Sequence, residues 1–334
     1  MIRGLHCKMK LRAATMDAAL FVLALLGAAA ALKNPNTTLL GSWPMIHAHD
    51  AATTYLSTGI VDEWAKTQQD GGVASLFGCG ARALDWRPSL KDGVLQMHHG
   101  DIDIEYAMSD ALDEAVAWAN AHVDVEDLVL LVISHEDGDG AHAAVLELLG
   151  TAGVAYVDDC AGLYSTTVAA AADAARLEGG GSLLAISGTC VTGHWDSSIT
   201  CAGFKSRRLQ ETTATNATAA NGAVDFPWYY TCYADSSSKD YPLDRFWTYY
   251  ESVVQEGPVG GGLYTVQALW QEDADSVVVS GLHGATLLTE ESESGLNALV
   301  TARIKAEPDY AYGMVEVNNV CDGGPGLLDA LRAL

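Results

Sequence analysis

The chain has 334 residues, 49 % of them hydrophobic and 18 % charged, and a net charge of −25. That composition excludes a disordered chain and gives enough apolar material for a sizeable core, and the length suits one large domain or two small ones. So acidic a surface repels the phosphates of nucleic acid, which removes nucleic-acid binding from the candidate functions.

At the N-terminus Arg3, Lys8, Lys10 and Arg12 precede a small-residue apolar run from Ala18 to Leu32. Ala28-Ala29-Ala30-Ala31 offers A-x-A cleavage sites. This pattern reads as a signal peptide over residues 1–31, with export from the cell or entry to the endomembrane lumen. A membrane anchor is the weaker reading, because the run falls short of the ~20 residues of a spanning helix. Cleavage would remove four basic residues and Asp17, taking the charge from −25 to −28. It would also remove Cys7 and leave six of the seven cysteines, an even number that suits three disulfides. Cys190 and Cys201, flanking a loop, are the expected local pair. No C-x-x-C occurs, so a zinc site is disfavoured. Asn36-Thr37-Thr38 and Asn216-Ala217-Thr218 are glycosylation sequons in an exported chain.

From residue 32 to residue 334 the sequence reads as a single domain. Leu40 to Asp50 is the first strand, ending on His49-Asp50, and Thr53 to Ser57 leaves it as a loop or the start of a helix. Asp62 to Gln69 has a helical pattern with Asp62 as N-cap and Gly71-Gly72 as its stop. Val73 to Phe77 leads into GCGARALDWRPSLKDGVLQMHHG, the most informative stretch. In it ARALDW is a buried strand that delivers Asp85 and Arg87, and Pro88 blocks its continuation. A turn at Lys91-Asp92-Gly93 follows, then a strand, VLQMHH, that ends on His98-His99-Gly100.

Ser109 to Ala121 is an amphipathic helix with Leu112, Val116 and Ala119 on one face, capped by Ser109 or Asp110. Leu128 to Ser134, LVLLVIS, is a third buried strand. His135 and His142 flank the polar turn after it and read as structural or solvated. A helix over His142 to Leu149, a strand near Val154 to Val157 and an alanine-rich helix over Thr166 to Leu177 lead to the buried strand SLLAIS, Ser182 to Ser187. Phe204 to Ala223 is poor in large apolar residues and reads as an exposed excursion, glycosylated at Asn216, in which Lys205, Arg207 and Arg208 are solvated. Strands at Phe226 to Cys232 and Leu263 to Trp270 flank the aromatic helix LDRFWTYYESVV. A helix within Leu287 to Lys305, a last strand at Tyr312 to Val320 and a closing helix at Leu327 to Leu334 complete the chain. About eight apolar strands alternating with helices predict an α/β fold with a parallel sheet, a TIM-type (β/α)8 barrel.

The ordered set His49-Asp50, Gly80-Ala81-Arg82-Ala83-Leu84-Asp85-Trp86-Arg87 and His98-His99-Gly100 resembles the X-domain of phosphatidylinositol-specific phospholipase C. Trp64-Ala65-Lys66-Thr67-Gln68 and Val125-Glu126-Asp127-Leu128-Val129-Leu130-Leu131 match the same pattern. The resemblance is good from about Leu40 to Ser134 and vague beyond. It implies a phosphodiester-cleaving enzyme acting on a phosphoinositide-type lipid at a membrane surface, as a monomer. It implies His49 as general base on the inositol 2-hydroxyl and His99 as general acid on the leaving oxygen. Arg87 would be the phosphate-stabilising cation, and Asp50 its supporting carboxylate. Signalling members of the family place an acidic residue at the position of Arg87 and bind calcium there. Arginine implies the metal-independent bacterial type, with no cofactor.

The residue types suit that chemistry without the resemblance. Two histidines divide base and acid roles near neutral pH, and a guanidinium grips phosphate through a bidentate fork. Asp85 shares a strand face with Arg87. Two departures stand out. The family's bacterial members orient the base with an aspartate on the last strand, where YGMVEVNNV offers Asn318, with Glu316 on the same face as a substitute. The basic contacts to inositol have no counterpart after SLLAIS, where Ser187-Gly188-Thr189 stands. Two further readings are a barrel phosphodiesterase for another phospholipid, and a catalytically weakened binding or surface protein.

Overall fold

The computed structural model describes residues 33–56, 63–192, 232–235, 238–240, 243–257, 262–270 and 281–334. The leader, the excursion at 204–223, the capping Asp62 and nearly all of the strand expected at Phe226 to Cys232 lie outside them. In chain order the strands are β1 (Met45–Ala48), β2 (Ala81–Trp86), β3 (Pro88–Lys91), β4 (Val94–His99), β5 (Ile102–Ala107), β6 (Val129–Ile133), β7 (Ala155–Val157), β8 (Leu183–Ser187), β9 (Val191–Thr192), β10 (Cys232–Asp235), β11 (Ser238–Asp240), β12 (Leu263–Gln267) and β13 (Met314–Val317). The helices are α1 (Gly72–Gly78), α2 (Met108–Ala121), α3 (Ala141–Thr151), α4 (Cys160–Ser165), α5 (Val168–Ala174), α6 (Leu243–Glu256), α7 (Leu287–Ser294), α8 (Leu296–Ala306) and α9 (Gly324–Arg332).

Eight strands form one parallel sheet in the order β7-β8-β6-β2-β1-β13-β12-β9. It is an irregular barrel of the TIM type, since β7 lies outside β8 and not between β6 and β8. Alternation along each strand sorts the two faces. On β6, Val129, Leu131 and Ile133 join Ile46, Leu84 and Trp86 in the layer beneath the helices. Leu130 and Val132 join Met45, Ala83, Leu184, Ile186 and Met314 inside the curl. Both faces are buried, which is why these strands are apolar throughout. The helical layer rests on Leu112, Ala115 and Ala119 of α2 and Leu327 and Leu331 of α9. Gly80 enters β2 at φ 109°, and a Cβ there would come within 3.3 Å of the Gly324 carbonyl oxygen, so the chain passes beneath α9 only as glycine.

The inner face turns polar toward the strands' C-terminal ends. His47 and Glu316 are register partners on β1 and β13, and Gln267 on β12 pairs with Glu316. One layer higher, beyond Ala48 and Val317, come His49 and Asn318.

Several expectations need correction. Asp62 to Gln69 does not continue as a helix, because only Glu63 and Trp64 are helical among the described residues. Thr67 and Gln68 are pulled inward instead: the Thr67 hydroxyl donates to the His49 carbonyl at 3.0 Å, and Gln68 Nε2 donates to the His49 and Val317 carbonyls at 2.9 and 3.0 Å. Gly71-Gly72 starts a helix and does not stop one, and Val73 to Phe77 lies within α1. The stretch Leu287 to Lys305 is two helices, broken at Gly295, whose φ of 63° ends α7 and begins α8. β4, outside the eight strands expected of the barrel, lies outside the parallel sheet. It is the centre of an antiparallel β3-β4-β5 sheet, and β5 had no counterpart in the sequence reading. Cys190 bonds to Cys160, not Cys201, because the turn after β8 lies against the start of α4. A second disulfide joins Cys79 to Cys321 across 242 residues.

Candidate active site

His49 and Asp50 leave the C-terminal end of β1. Asp50 has φ 43°, the left-handed region that aspartate tolerates better than most residues, and its carbonyl accepts from the Thr53 hydroxyl at 2.9 Å. This sharp exit lets two consecutive side chains face one site. Asp85 and Arg87 stand two residues apart where β2 passes into β3. β4 then folds over the strand ends, tied by His98 N–H to the Arg87 carbonyl at 3.0 Å, and brings His99 into place.

The structure brings the four expected residues together. Asp50 Oδ2 lies 3.2 Å from His49 Nε2 and 3.2 Å from His99 Nε2. Its other oxygen pairs with Arg87 Nη1 at 2.7 Å. Arg87 Nε donates to Asp85 Oδ2 at 3.0 Å and its Nη2 stands 2.8 Å from the same oxygen. Asp85 Oδ1 accepts from the Ser134 hydroxyl at 2.7 Å. Asp50 and Asp85 are almost wholly buried, so each needs a cation.

Electrostatics follow. Burial alone would raise the Asp85 carboxyl, but Arg87, His49 and His47 outweigh it and hold the group well below the usual range. Burial works against the Arg87 charge, and Asp50 and Asp85 more than restore it. For His99 burial wins and depresses its pKa, with Arg87 and His49 adding to the effect and Asp50 opposing it.

The supporting residues separate. Asn318 Oδ1 lies 2.9 Å from His49 Nδ1, so the amide meets the His49 ring directly. Glu316 sits one layer deeper, 3.7 Å from His47 Nδ1. It therefore does not replace Asn318 as the hydrogen-bond partner of His49. His98 faces away from Asp50, its ring nitrogens against the Gly100 and His135 carbonyls at 2.9 and 2.8 Å. His142, expected to be structural or solvated, pairs with Glu136 at the surface. Two residues went unnoticed in the sequence. Ser134 could have been found from strand alternation, since it follows Leu130 and Val132 on the inner face. Glu291, which meets the Asn318 amide at 2.9 Å, lies in TEESES, which looks like a solvated helix.

Among the described residues one group could offer ligand atoms to a metal: His49, Asp85 and Glu316 converge within 4.8 Å. It fits a metal poorly. Both Asp85 oxygens are engaged, by Arg87 and Ser134, and His49 Nδ1 is engaged by Asn318. The Arg87 guanidinium already supplies the positive charge that these carboxylates require.

The fold is that of the phospholipase C barrels. More particularly, it is similar to solved bacterial phosphatidylinositol-specific phospholipases C. One from Staphylococcus aureus superposes with a TM-score of 0.55 at 13 % identity, over 88 % of this chain and 94 % of the other. A second S. aureus structure, with pentafluoro-Phe incorporated, gives 0.54 at 16 %, over 89 % and 95 %. The Listeria monocytogenes enzyme gives 0.51 at 11 %, over 91 % and 97 %. No family model and no curated protein matches the chain.

Proposed function

We propose that this protein is a metal-independent phosphodiesterase of the phospholipase C type, cleaving a lipid whose headgroup carries a hydroxyl beside the phosphodiester, as phosphatidylinositol does. The observation that carries this reading is the convergence of two imidazoles on one carboxylate oxygen, each at 3.2 Å, with a guanidinium on the other oxygen of that carboxylate.

In this reading His49 Nε2 takes the proton of the headgroup 2-hydroxyl. The freed oxygen attacks phosphorus, the bond to the diacylglycerol oxygen breaks, and His99 protonates that oxygen as it leaves. The products are a cyclic 1,2-phosphodiester and diacylglycerol. Because the nucleophile belongs to the substrate, its effective concentration is high. Arg87, held by two buried carboxylates, is preorganised to balance charge on the phosphoryl oxygens. The arriving anionic phosphate would also raise the depressed pKa of His99, charging the acid when it is needed.

The two disulfides suit an oxidising compartment, which supports export. Among the described residues no helix is long and apolar enough to cross a membrane. The test is ³¹P NMR of products from phosphatidylinositol, with and without EDTA. A cyclic phosphodiester formed equally under both conditions is expected. A product that appears only without EDTA overturns the metal-free mechanism, and a purely acyclic first product overturns internal attack.

A further inference from the structure

Asn318 stands where a carboxylate would accept from either oxygen, whereas an amide has two unlike ends. Only with Oδ1 toward His49 Nδ1 does it accept the Nδ1 proton and leave Nε2 a lone pair. Nε2 has opposed neighbours, the donor Arg87 Nη2 and the acceptor Asp50 Oδ2, each at 3.2 Å, so the contact at Nδ1 decides the tautomer. Flipped, the amide would present its NH2 group to Nδ1, drive the ring proton to Nε2 and remove the base. What opposes the flip is whatever meets Asn318 Nδ2.

Nδ2 donates to two acceptors: the Trp270 carbonyl at 3.2 Å and Glu291 Oε1 at 2.9 Å. Glu291 comes from α7 and is 3 % exposed. Its Oε1 is fixed by the Trp270 backbone N–H at 2.8 Å, and its Oε2 is buried without a hydrogen-bond partner among the described residues. A buried carboxyl with one oxygen unmatched is costly, and the fold alone gives no reason for it. Burial pushes this carboxyl up to about 8. A proton would sit on Oε2, so Oε1 remains an acceptor in either protonation state. A flipped amide would bring Oδ1 against two acceptor oxygens.

We propose that Glu291 is the positioning residue of this site, fixing the Asn318 amide and through it the tautomer of His49. The inference rests on His49 being the base. Its test reads the ring directly and needs no activity, so absence of cleavage would sink the proposed function without deciding this point.

The experiment is long-range ¹H–¹⁵N correlation of the full ¹⁵N-labelled chain at a pH where His49 is neutral, with the His49 signals assigned by their loss in His49→Gln. The wild type should show the Nδ1–H tautomer. Glu291→Gln should keep it, because a glutamine Oε1 accepts from the same two N–H groups. Glu291→Leu should shift the ring toward Nε2–H and lower kcat by about 10-fold or more with little change in KM. Adding Asn318→Asp to Glu291→Leu should restore Nδ1–H, since both aspartate oxygens accept. A wild-type ring in the Nε2–H form overturns the proposal, as does a natively folded Glu291→Leu variant that keeps Nδ1–H. Should that variant fail to fold, Glu291→Met carries the same test.

Discussion

Arg87 Nη2 stands 3.2 Å from His49 Nε2, the cation pressed against the nitrogen assigned to take a proton. With the His49 proton on Nδ1 the contact is donor to acceptor, and under the proposed mechanism the guanidinium marks the lone pair of the base before substrate arrives. Under that mechanism a phosphate drawn to Arg87 would be placed beside His49, so binding and proton abstraction would share one anchor. Arg87→Lys keeps the charge but loses the fork that holds Asp50 and Asp85 together. It should lower kcat/KM by about 10²-fold or more, in the range of a lost electrostatic donor. Arg87→Leu should in addition destabilise the fold by about 3–5 kcal/mol, because it leaves two buried carboxylates without their cation. Denaturant titration and steady-state kinetics on the two variants separate these effects.

The depressed pKa of His99 gives the pH dependence a sign. In its proposed role as general acid His99 must be protonated, and kcat/KM reports the free enzyme. The alkaline limb of kcat/KM should therefore fall below the ordinary histidine value of about 6.5, while the limb of kcat lies higher because bound phosphate raises the group. Asp50 opposes the depression, so Asp50→Asn should move the kcat/KM limb to lower pH. For stability the direction is fixed too. The folded state binds this proton more weakly than the unfolded chain, so the contribution of His99 is fully present above about pH 6.5 and is lost as pH falls through the folded pKa. A kcat/KM limb above pH 7 contradicts the assignment.

In the proposed mechanism His49 and His99 act as a base–acid pair around a single Asp50 oxygen, so their removals should overlap and not multiply. His49→Ala and His99→Ala should each cost about 10²–10⁴-fold on a lipid substrate, with the double variant little worse. A substrate with a good leaving group should rescue His99→Ala and not His49→Ala. His98→Ala should stay close to wild type, since its ring faces the Gly100 and His135 carbonyls. Activity in His99→Ala together with its loss in His98→Ala would reassign the acid.

Glu291 gives a thermodynamic expectation that needs no substrate. Its folded pKa, about 8, lies above the ordinary carboxyl value, with burial as the main cause and Glu290 and Asp322 adding to it. The stability it contributes is therefore complete below the unfolded pKa and is lost as pH rises toward 8. Glu291→Gln should flatten that part of the stability curve, measured by denaturant unfolding between pH 4.5 and 8. An unchanged slope would show that Glu291 does not titrate in this range.

How much of this was legible depends on where each hydrogen bond goes. ARALDW and LVLLVIS announced β2 and β6 because strands buried on both faces must be continuously apolar. His49, Asp50, Arg87 and His99 were visible as polar residues closing such runs. Lys66 to Gln68 misled, because a helical pattern says nothing of side chains recruited to cap neighbouring strand ends. The β3-β4-β5 sheet was only half visible, since IDIEYA alternates charge with modest apolar residues and its pairing is set by the turn before it. Glu291 was invisible because a buried carboxyl in TEESES is a tertiary fact, made by the approach of Trp270 and Asn318.

The bridge between Cys79 and Cys321 makes most of the chain a covalent ring. Seven strands of the parallel sheet lie within that ring, and β1 alone precedes it. In space β1 sits between β2 and β13, the strands nearest the two bridged cysteines in sequence. The segment bearing His49 and Asp50 is thus an insert in a closed collar, held by strand pairing and burial with no disulfide of its own. Reducing the bridge should therefore loosen β1 together with its two neighbours, though no cysteine lies in β1 itself.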